Sequence, residues 1–553
     1  MKEDKMKKII SVFLAVILLL GTLQTAALAE YDKKLTYTVF QQGDDVPDPE
    51  NQYRNSAMIH YWQDMFNIEL DWQIPPQGSE SEQMNLMLGT GDYTDIMDMG
   101  FNTENLGTLC DDGTIWDLTP YLDEYMPNYS AWLDANPDVK SALFDDSGRI
   151  YLAGSIQEHP KQWGGLVYRR DILETMTGGN VAFPSRNAEP TTIADWEYML
   201  DLMTQYFKAA GMNDYAGLII PAIGYFSTGE LISGFGIGGA DFVNAEGQVA
   251  YGIAEDNFYN YLVKMKEWYE KGYIYGDFAS RSQDLFYLPN TALTYGGAAG
   301  IWFGLVQQLG DTMSLPEYGL MMEVEPLVAP IDTDHGIEAP APVYLAANRG
   351  SNNAGWAIST ACDEEKLIRI LTAIDWLYTA EGAATRRMGL SEEQGAAELA
   401  EYTDKGITHG ARKNGTIEWT DEMDAAKDLG TYEFGKNRLP GIVVDYKTRT
   451  CELNEQGVDP NVWGDEVWTS CGREGVFPYT ISYTAEEQET INRINTNMQD
   501  YAHPMIVNFI MGRTELTEDA FKAYQQKLHD LGLDEYLSLR QAAYDRYTAR
   551  AAD

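Results

Sequence analysis

Between residues 34 and 100 the hydrophobic pattern switches repeatedly between a period of two and a helical period. KLTYTVF (34–40) alternates as a strand does, and residues 52–66 then place four apolar side chains on one helical face: Met58, Ile59, Trp62 and Phe66. NIELDWQI, EQMNLMLGTG and YTDIMDMG add a strand, a helix and a strand. This order predicts the α/β fold class, in which ligands bind beyond the carboxyl ends of the strands.

Further helices and a hairpin are predicted later in the chain. In PTTIADWEYMLDLMTQYFKAAG, Thr192 and Asp195 have capping-box spacing, and Gly211 marks the predicted end of the helix. DFVNAEGQVAYG (241–252) predicts a hairpin. Three further segments predict helices, namely NFYNYLVKMKEWYEKG, EEKLIRILTAIDWLYTAEG and TEDAFKAYQQKLHDLG. No evident linker separates these predicted elements. If the chain forms two lobes, we therefore expect it to cross between them more than once.

The amino terminus has the pattern of a secretory signal peptide, predicted over residues 1–29. A basic segment precedes an apolar run from Ile9 to Leu20, and Ala27 and Ala29 suit a signal peptidase. The first cysteine after this run is Cys110, far too late for the lipobox of bacterial lipoproteins, which is therefore missing. We therefore expect an extracellular protein, secreted or associated with the cell surface by other means.

Length and charge restrict the function classes further. A chain of 553 residues exceeds what one hydrophobic core normally organises, which favours two lobes. A formal net charge of −46 argues against nucleic acids and anionic membranes as partners. Four cysteines do not form a disulfide scaffold, although Cys451 and Cys471 are close enough in sequence to pair in an exported protein.

Three aspartates, Asp92, Asp95 and Asp98, lie at intervals of three beside the third predicted strand. Carboxylates at this density can hold a metal, act as acid and base, or border a binding cleft. The segments around them decide between these roles.

Several segments together resemble the extracellular solute-binding proteins of bacterial ABC importers, in the family 1-like group of large carbohydrate-binding proteins. The resemblance is carried by LGTGDYTDIMDMG (88–100), YRRDILETMTG (168–178), ALTYGGAAGIWFG (292–304), GWAISTACDEEKLIRILTAIDWLYTAEG (355–382) and the end of the chain from HPMIVNFIMG onward. It implies a type II periplasmic-binding-protein fold, with two α/β lobes joined by hinge strands around a ligand cleft. Asp95 and Asp98 are then expected to form hydrogen bonds rather than to act as catalytic acids.

The resemblance also gives expected boundaries. The first lobe would begin with residues 30–155 and the second with 156–330. Residues 331–430 would return to the first lobe through the hinge, and residues 431–553 would form a helical part mainly on the second. Some relatives carry a calcium loop after the segment that corresponds to YRRD. GGNVAFPSRNAEPTT lacks that spacing here, so we expect neither a metal nor a cofactor.

Sugar binding requires aromatic faces for pyranose rings and planar polar groups for paired hydroxyls. By its position in the resemblance, Trp302 is expected to stack on ligand from the second lobe, with core packing as the alternative. One of Tyr168 and Arg169 should face the cleft, because side chains alternate along a strand. The other candidates follow strand ends or lie in loops: Gln41, Asp44, Gln73, Phe101, Asn102, Trp163, Tyr225, Phe226, Tyr344 and Trp463, the last paired with Trp468 as a second platform.

These observations predict a monomeric binding protein that captures an oligosaccharide by lobe closure and delivers it to the permease of an ABC transporter. Two alternatives stay open. One is a secreted glycoside hydrolase, since two suitably placed carboxylates would suffice among 85 acidic residues. The other keeps the binding fold but takes a peptide, which acidic charge and aromatic pockets would also accommodate.

Overall fold

The computed structural model describes residues 31–42, 53–54, 56–76, 78–99, 106–157, 162, 164–221, 229–280, 288–342, 355–388, 390, 439–443, 460–470, 472, 475–478 and 481–552. The predicted signal peptide and the Cys451–Cys471 pair lie outside these residues. Cys110 and Cys362 are free thiols. Within the described segments, no helix combines the length and apolar character needed to cross a membrane.

The strands of these segments are β1 (Leu35–Phe40), β2 (Ile68–Gln73), β3 (Ile96–Asp98), β4 (Ala153–Gln157), β5 (Gly164–Arg169), β6 (Ala216–Leu218), β7 (Asp241–Val243), β8 (Val249–Tyr251), β9 (Ala299–Leu305), β10 (Val324–Pro326), β11 (Gly355–Ile358) and β12 (Gly441–Val443).

The α-helices of the same segments are α1 (Ala57–Phe66), α2 (Glu80–Thr90), α3 (Leu106–Asp111), α4 (Leu122–Tyr125), α5 (Pro127–Ala135), α6 (Pro137–Leu143), α7 (Arg170–Thr177), α8 (Ile193–Ala209), α9 (Asn257–Glu270), α10 (Leu288–Tyr295), α11 (Glu364–Trp376), α12 (Ala380–Met388), α13 (Pro460–Trp468), α14 (Ala485–Ile510), α15 (Glu518–Asp530) and α16 (Leu533–Ala552). Short 3-10 helices, including Ile232–Phe235, connect some of them.

The first sheet has the strand order β12-β4-β11-β3-β1-β2. Strands β1, β2 and β3 are parallel, β11 runs antiparallel to β3 and β4, and β12 is parallel to β4. One face carries Tyr37, Val39 and Trp356 in a core that includes helices α1 and α11, and the other carries Phe40 and Met97 in a smaller cluster. We call this sheet and its packed helices the first unit.

The second sheet has the strand order β10-β5-β9-β6, with β5 antiparallel to both β9 and β10. Alternate residues of β5 and β9 point to opposite faces. Leu166 and Ile301 belong to the largest core, while Val167 and Trp302 belong to a separate cluster. Side chains of α8, α9, α14 and α15 complete the largest core. We call this sheet, its helices and the β7-β8 hairpin the second unit.

Local sequence signals account for many of these elements. The predicted capping box forms: Thr192 accepts from the N–H of Asp195, whose side chain accepts from the N–H of Thr192. The predicted hairpin is also present as β7 and β8. Both features depend on neighbouring residues, so local chemistry was sufficient to predict them.

The chain passes between the units differently from the expected boundaries. Residues 331–341 still pair with the second unit, where the N–H of Ala341 donates to the carbonyl of Ser233. Residues 441–443 form β12 on the edge of the first sheet, although 431–553 was assigned mainly to the second lobe. The chain therefore connects the units at least three times, through residues 158–163, 343–354 and 444–459.

Candidate functional site

The connections between the units meet one edge of each sheet. In the first sheet, β1 to β4 and β12 end at this edge and β11 begins there. In the second sheet, β5 begins at this edge, and β6, β9 and β10 end there. We call these the crossover edges. Loops beyond the carboxyl ends of strands are the usual ligand sites of α/β sheets.

At the crossover edge of the first sheet, buried polar groups bind one another. The Nε2 of Gln41 donates to Oδ2 of Asp98 at 2.7 Å, and its Oε1 accepts from the indole N–H of Trp356 at 2.8 Å. The main-chain N–H of Gln42 also donates to Asp98, at 3.3 Å. Gln41 thus uses both ends of its amide inside the protein, which leaves Asp98 a structural acceptor between two strands.

Asp95 has a similar structural role on the neighbouring strand end. Its carboxylate accepts from the main-chain N–H of Thr38 at 2.8 Å and from Lys366 at 3.0 Å. Burial alone raises the pKa of this carboxyl, but these hydrogen bonds and the Lys366 charge bring the pKa below its ordinary value. The expectation that Asp95 and Asp98 form hydrogen bonds is confirmed.

The crossover edge of the second sheet is concave. A small open pocket, with a cavity volume of about 30 Å³, lies beside the first residues of β5. Its described lining combines apolar and polar side chains, as small-molecule sites do. The lining residues are Gln162, Gly165, Leu166, Glu230, Ser233, Leu327, Val328, Ala329, Pro340, Trp468 and Ser470.

Trp468 forms the aromatic wall of this pocket. Its indole N–H donates to the carbonyl of Leu166 at 2.8 Å. Its ring lies against Gly165, where a Cβ atom would come within 2.6 Å of Cδ2. Gly165 is therefore the residue that allows the indole to lie directly on the backbone of β5.

Gln162 brings a polar group to the same pocket. Its main-chain N–H donates to Oδ1 of Asp465 at 2.8 Å, and its Nε2 donates to the carbonyl of Gly164 at 2.9 Å. Because a carbonyl only accepts, this contact fixes the nitrogen toward Gly164. The buried Oε1 has no hydrogen-bond partner among the described residues. Gln162 therefore holds a buried acceptor beside the pocket.

Several predicted binding residues are buried elsewhere in the second unit. Tyr168 donates its hydroxyl hydrogen to Glu325, and burial next to Glu325 raises its pKa far above the ordinary value. Arg169 pairs with Asp171 at 2.6 Å. Neither side chain is exposed, and the expectation that one of them faces a cleft stays a prediction. Tyr168 packs in the largest core, and ion pairing offsets the cost of burying Arg169.

Trp302 is also buried, at 3% exposure, in the cluster on the other face of β9. Its indole N–H donates to Oε1 of Gln308 at 3.2 Å. Core packing, the alternative given above for Trp302, describes the surroundings of this side chain. That Trp302 contacts ligand stays a prediction. Trp463 is half-buried against the same cluster, while Gln73 is exposed at the crossover edge of the first sheet.

The other predicted residues lie outside the described residues: Asp44, Phe101, Asn102, Trp163, Tyr225, Phe226 and Tyr344. Each belongs to a segment that follows or precedes a crossover edge. Sequence reasoning did not single out Gln162, Glu230, Ser233 or Ser470. One sequence signal could have pointed to the pocket. It is Gly165 in GGLVYR, the glycine that lies against Trp468 of α13.

Two features of the described residues bear on chemistry other than binding. No group of three or more His, Cys, Asp and Glu side chains among them could hold a metal ion. Burial raises the pKa of Glu325 to about 6. This carboxyl pairs with Tyr168 near the end of β5 opposite the pocket, so its altered titration belongs to the packed interior of the second unit.

Solved structures share this fold over nearly the whole chain. An extracellular solute-binding protein from Bifidobacterium longum subsp. infantis matches with a TM-score of 0.70 and 18% identity, over 94% of this chain and 99% of that chain. An HMO-binding ABC-transporter-associated solute-binding protein from the same bacterium matches at 0.69 and 16%, over 94% and 100%. Streptococcus pneumoniae FusA, an ABC-transporter substrate-binding protein in complex with kestose, matches at 0.67 and 16%, over 93% and 99%.

No family model matches the chain, and no curated protein matches it significantly by sequence. The structural matches are far below the identity at which sequence implies a shared ligand. They establish that the chain has the fold of ABC-transporter solute-binding proteins.

Proposed function

We propose that this protein is the extracellular substrate-binding component of an ABC importer and that it captures an oligosaccharide. The observation that carries the proposal is the fold shared, over nearly the full length of both chains, with solute-binding proteins whose names include HMO and kestose. A pocket with an indole wall and a buried amide oxygen supports a sugar ligand in particular.

The two units would act as the lobes of a type II binding protein, with the three connections as the hinge. Ligand would first contact the pocket at the crossover edge of the second sheet. Closure would then bring the crossover edge of the first sheet onto its opposite side. Contacts made only in the closed form would drive this movement, because a ligand shifts an equilibrium only by its differential affinity. The closed monomer would dock on the transporter permease, and no chemical reaction is required.

A thermal-shift screen of the exported protein tests this proposal. We expect a selective rise in melting temperature with one class of oligosaccharide and no rise with peptides of matched length. Chromatography of the same samples should show the sugar intact. A rise with peptides alone would assign a peptide ligand, and release of shorter sugars would assign glycoside hydrolysis. Either result would contradict the proposed function.

Two matched tryptophan variants locate the site. Trp468→Phe shortens the aromatic wall of the pocket, and we expect roughly tenfold weaker binding, in the range of one aromatic contact. Trp376→Phe is the control, since Trp376 packs with Tyr61 in the first unit at 6.3 Å between ring centroids. Calorimetry with the sugar found in the screen measures both variants. Equal affinity for both would remove Trp468 from the site.

A further inference from the structure

The pocket beside β5 restricts which chemical group of a ligand can enter it. A cavity volume of about 30 Å³ holds a group the size of roughly two water molecules, and not a whole sugar ring. The walls therefore select a single functional group, while the rest of the ligand lies outside. On an oligosaccharide, the groups of that size are a hydroxyl, a hydroxymethyl, an amine and a carboxylate.

Glu230 brings a carboxyl group to this pocket. It belongs to the lining and is 5% exposed, and both of its side-chain oxygens are shielded from solvent. Gly229, with φ at +92°, lies so close to Gly238 that a Cβ atom would come within 2.7 Å of its carbonyl oxygen. Leu231 and Ile232 follow into the largest core. The segment that carries Glu230 is therefore fixed against the second unit.

Gln162 adds an oxygen with a negative partial charge. This residue is 2% exposed, and the hydrogen bond from its Nε2 to the carbonyl of Gly164 leaves Oε1 as the acceptor end of the amide. The main-chain N–H of Gln162 donates to the carboxylate of Asp465 at 2.8 Å, so a second acid lies next to the lining. Two carboxyl groups and an amide oxygen thus lie in or beside the lining of one small pocket.

These oxygens act electrostatically on any group that enters the pocket. Charges shielded from solvent are screened far less than surface charges, so they repel a carboxylate and attract the hydrogens of a hydroxyl or an amine. A ligand carboxylate would also lose its water without gaining a cation, since the described lining residues include no Lys, Arg or His. The formal net charge of −46 acts in the same direction over longer distances.

We propose that this pocket accepts an uncharged or cationic hydrogen-bond donor, a hydroxyl or an amine, and rejects a carboxylate. The ligands are then neutral or amino oligosaccharides, and oligosaccharides of uronic acids are excluded. This inference rests on the proposed function for the kind of ligand. It adds which sugars are bound and assigns the discrimination between them to Glu230.

Calorimetry with a matched pair of sugars tests the assignment. The probes are the neutral oligosaccharide that binds most tightly in the thermal-shift screen and the same sugar with its primary hydroxyls oxidised to carboxylates. We expect the oxidised sugar to bind at least about tenfold more weakly at low salt. Part of this difference should remain at about 0.5 M salt, because salt screens the surface charges far more than the buried ones.

Glu230→Gln removes the charge with almost no change in shape. We expect the preference for the neutral sugar to fall about three- to tenfold, mainly through tighter binding of the oxidised sugar. Asp134→Asn is the control, because it changes the net charge equally at an exposed site of the first unit, where Asp134 pairs with Lys140. Its preference should equal that of the unaltered protein. Melting temperatures without ligand show whether each variant is folded.

The possible outcomes separate this inference from the proposed function. Equal affinity for the two sugars, tighter binding of the oxidised sugar, or an unchanged preference in folded Glu230→Gln would overturn the inference and leave the proposed function intact. Binding of no oligosaccharide, neutral or acidic, would contradict the proposed function and the inference together. If Glu230→Gln does not fold, the comparison of the two sugars on the unaltered protein still decides whether a carboxylate is rejected.

Discussion

The two crossover edges differ in how their buried polar groups are hydrogen-bonded. At the edge of the first sheet, Gln41, Asp98 and Trp356 satisfy one another. At the edge of the second sheet, Trp468 lies on a glycine and Gln162 keeps an acceptor without a partner among the described residues. A satisfied edge is rigid, whereas an edge with an open acceptor gains energy from a ligand donor. Under the proposed function, ligand would therefore bind first at the second unit.

Removing the Asp98 carboxylate from the crossover edge of the first sheet should have the largest effect on stability. Asp98→Ala removes the buried carboxylate that accepts from Nε2 of Gln41 and from the N–H of Gln42, and we expect a loss of about 2–4 kcal/mol in the free energy of unfolding. Urea denaturation followed by tryptophan fluorescence measures this loss. Asp92→Ala is the control, because Asp92 is exposed in the same segment. Equal stability of the two variants would contradict the role assigned to Asp98.

A larger residue at position 165, on the crossover edge of the second sheet, should lower stability by a smaller amount but should also weaken ligand binding. Gly165→Ala places a methyl group within 2.6 Å of the Trp468 ring, and we expect a loss of about 1–3 kcal/mol as the indole moves. Oligosaccharide affinity should fall with it. Gly89→Ala, at an exposed position of α2 with open space around the new atom, should be neutral or slightly stabilising. Unaltered oligosaccharide binding by Gly165→Ala would indicate that this pocket is not the ligand site.

The two units should also respond to acid in opposite directions. Burial raises the pKa of Glu325 from 4.5 to about 6, so the folded protein binds more protons than the unfolded chain between these values. The contribution of Glu325 to stability therefore falls as pH rises through this window. In the first unit the pKa of Asp95 is lowered, so its contribution is lost as pH falls below the ordinary range.

Glu325→Gln tests this difference, since the amide still accepts the hydrogen bond from Tyr168. We expect the variant to exceed the unaltered protein by about 1–2 kcal/mol above pH 6 and to match it at pH 4. Thermal unfolding across this pH range measures the difference, with the exposed Glu317→Gln as control. A difference that does not vary with pH would rule out titration of Glu325 as the cause.

The smallest effect is expected at Trp302. Trp302→Phe keeps most of the packing but loses the hydrogen bond to Gln308, which is worth about 1 kcal/mol in a typical case. Binding should be unchanged if the ring serves only the core. Calorimetry decides this directly, because the sequence-based prediction that Trp302 stacks on ligand requires weaker binding.

Local patterns predicted many elements of this fold but did not reveal the pocket. The α8 capping box and the β7-β8 hairpin depend on residues within a few positions of one another, so sequence alone revealed them. Trp302 and Tyr168 illustrate the opposite case. The strand of Tyr168 was predicted, but which face of the sheet was covered depended on helices and on residues 299–327 that pack from far along the chain.

The pocket was harder still, because it joins distant segments. Trp468 and Gly165 lie 303 positions apart, and they meet only after the chain has crossed between the units. Nothing in NVWGDEVWTS indicated that Trp468, rather than Trp463, would lie on β5. Sequence reasoning gave both tryptophans as one platform, and the glycine contact distinguishes them.

The position of β12 has a consequence for how this protein is made. The edge strand of the first sheet is formed by residues 441–443, and helices α14 to α16 complete the core of the second unit. The first unit can therefore not finish folding during synthesis until about four fifths of the chain has been made, and the second unit not until nearly all of it has been made. A truncation before residue 441 would therefore remove β12 from the first unit and helices α14 to α16 from the second.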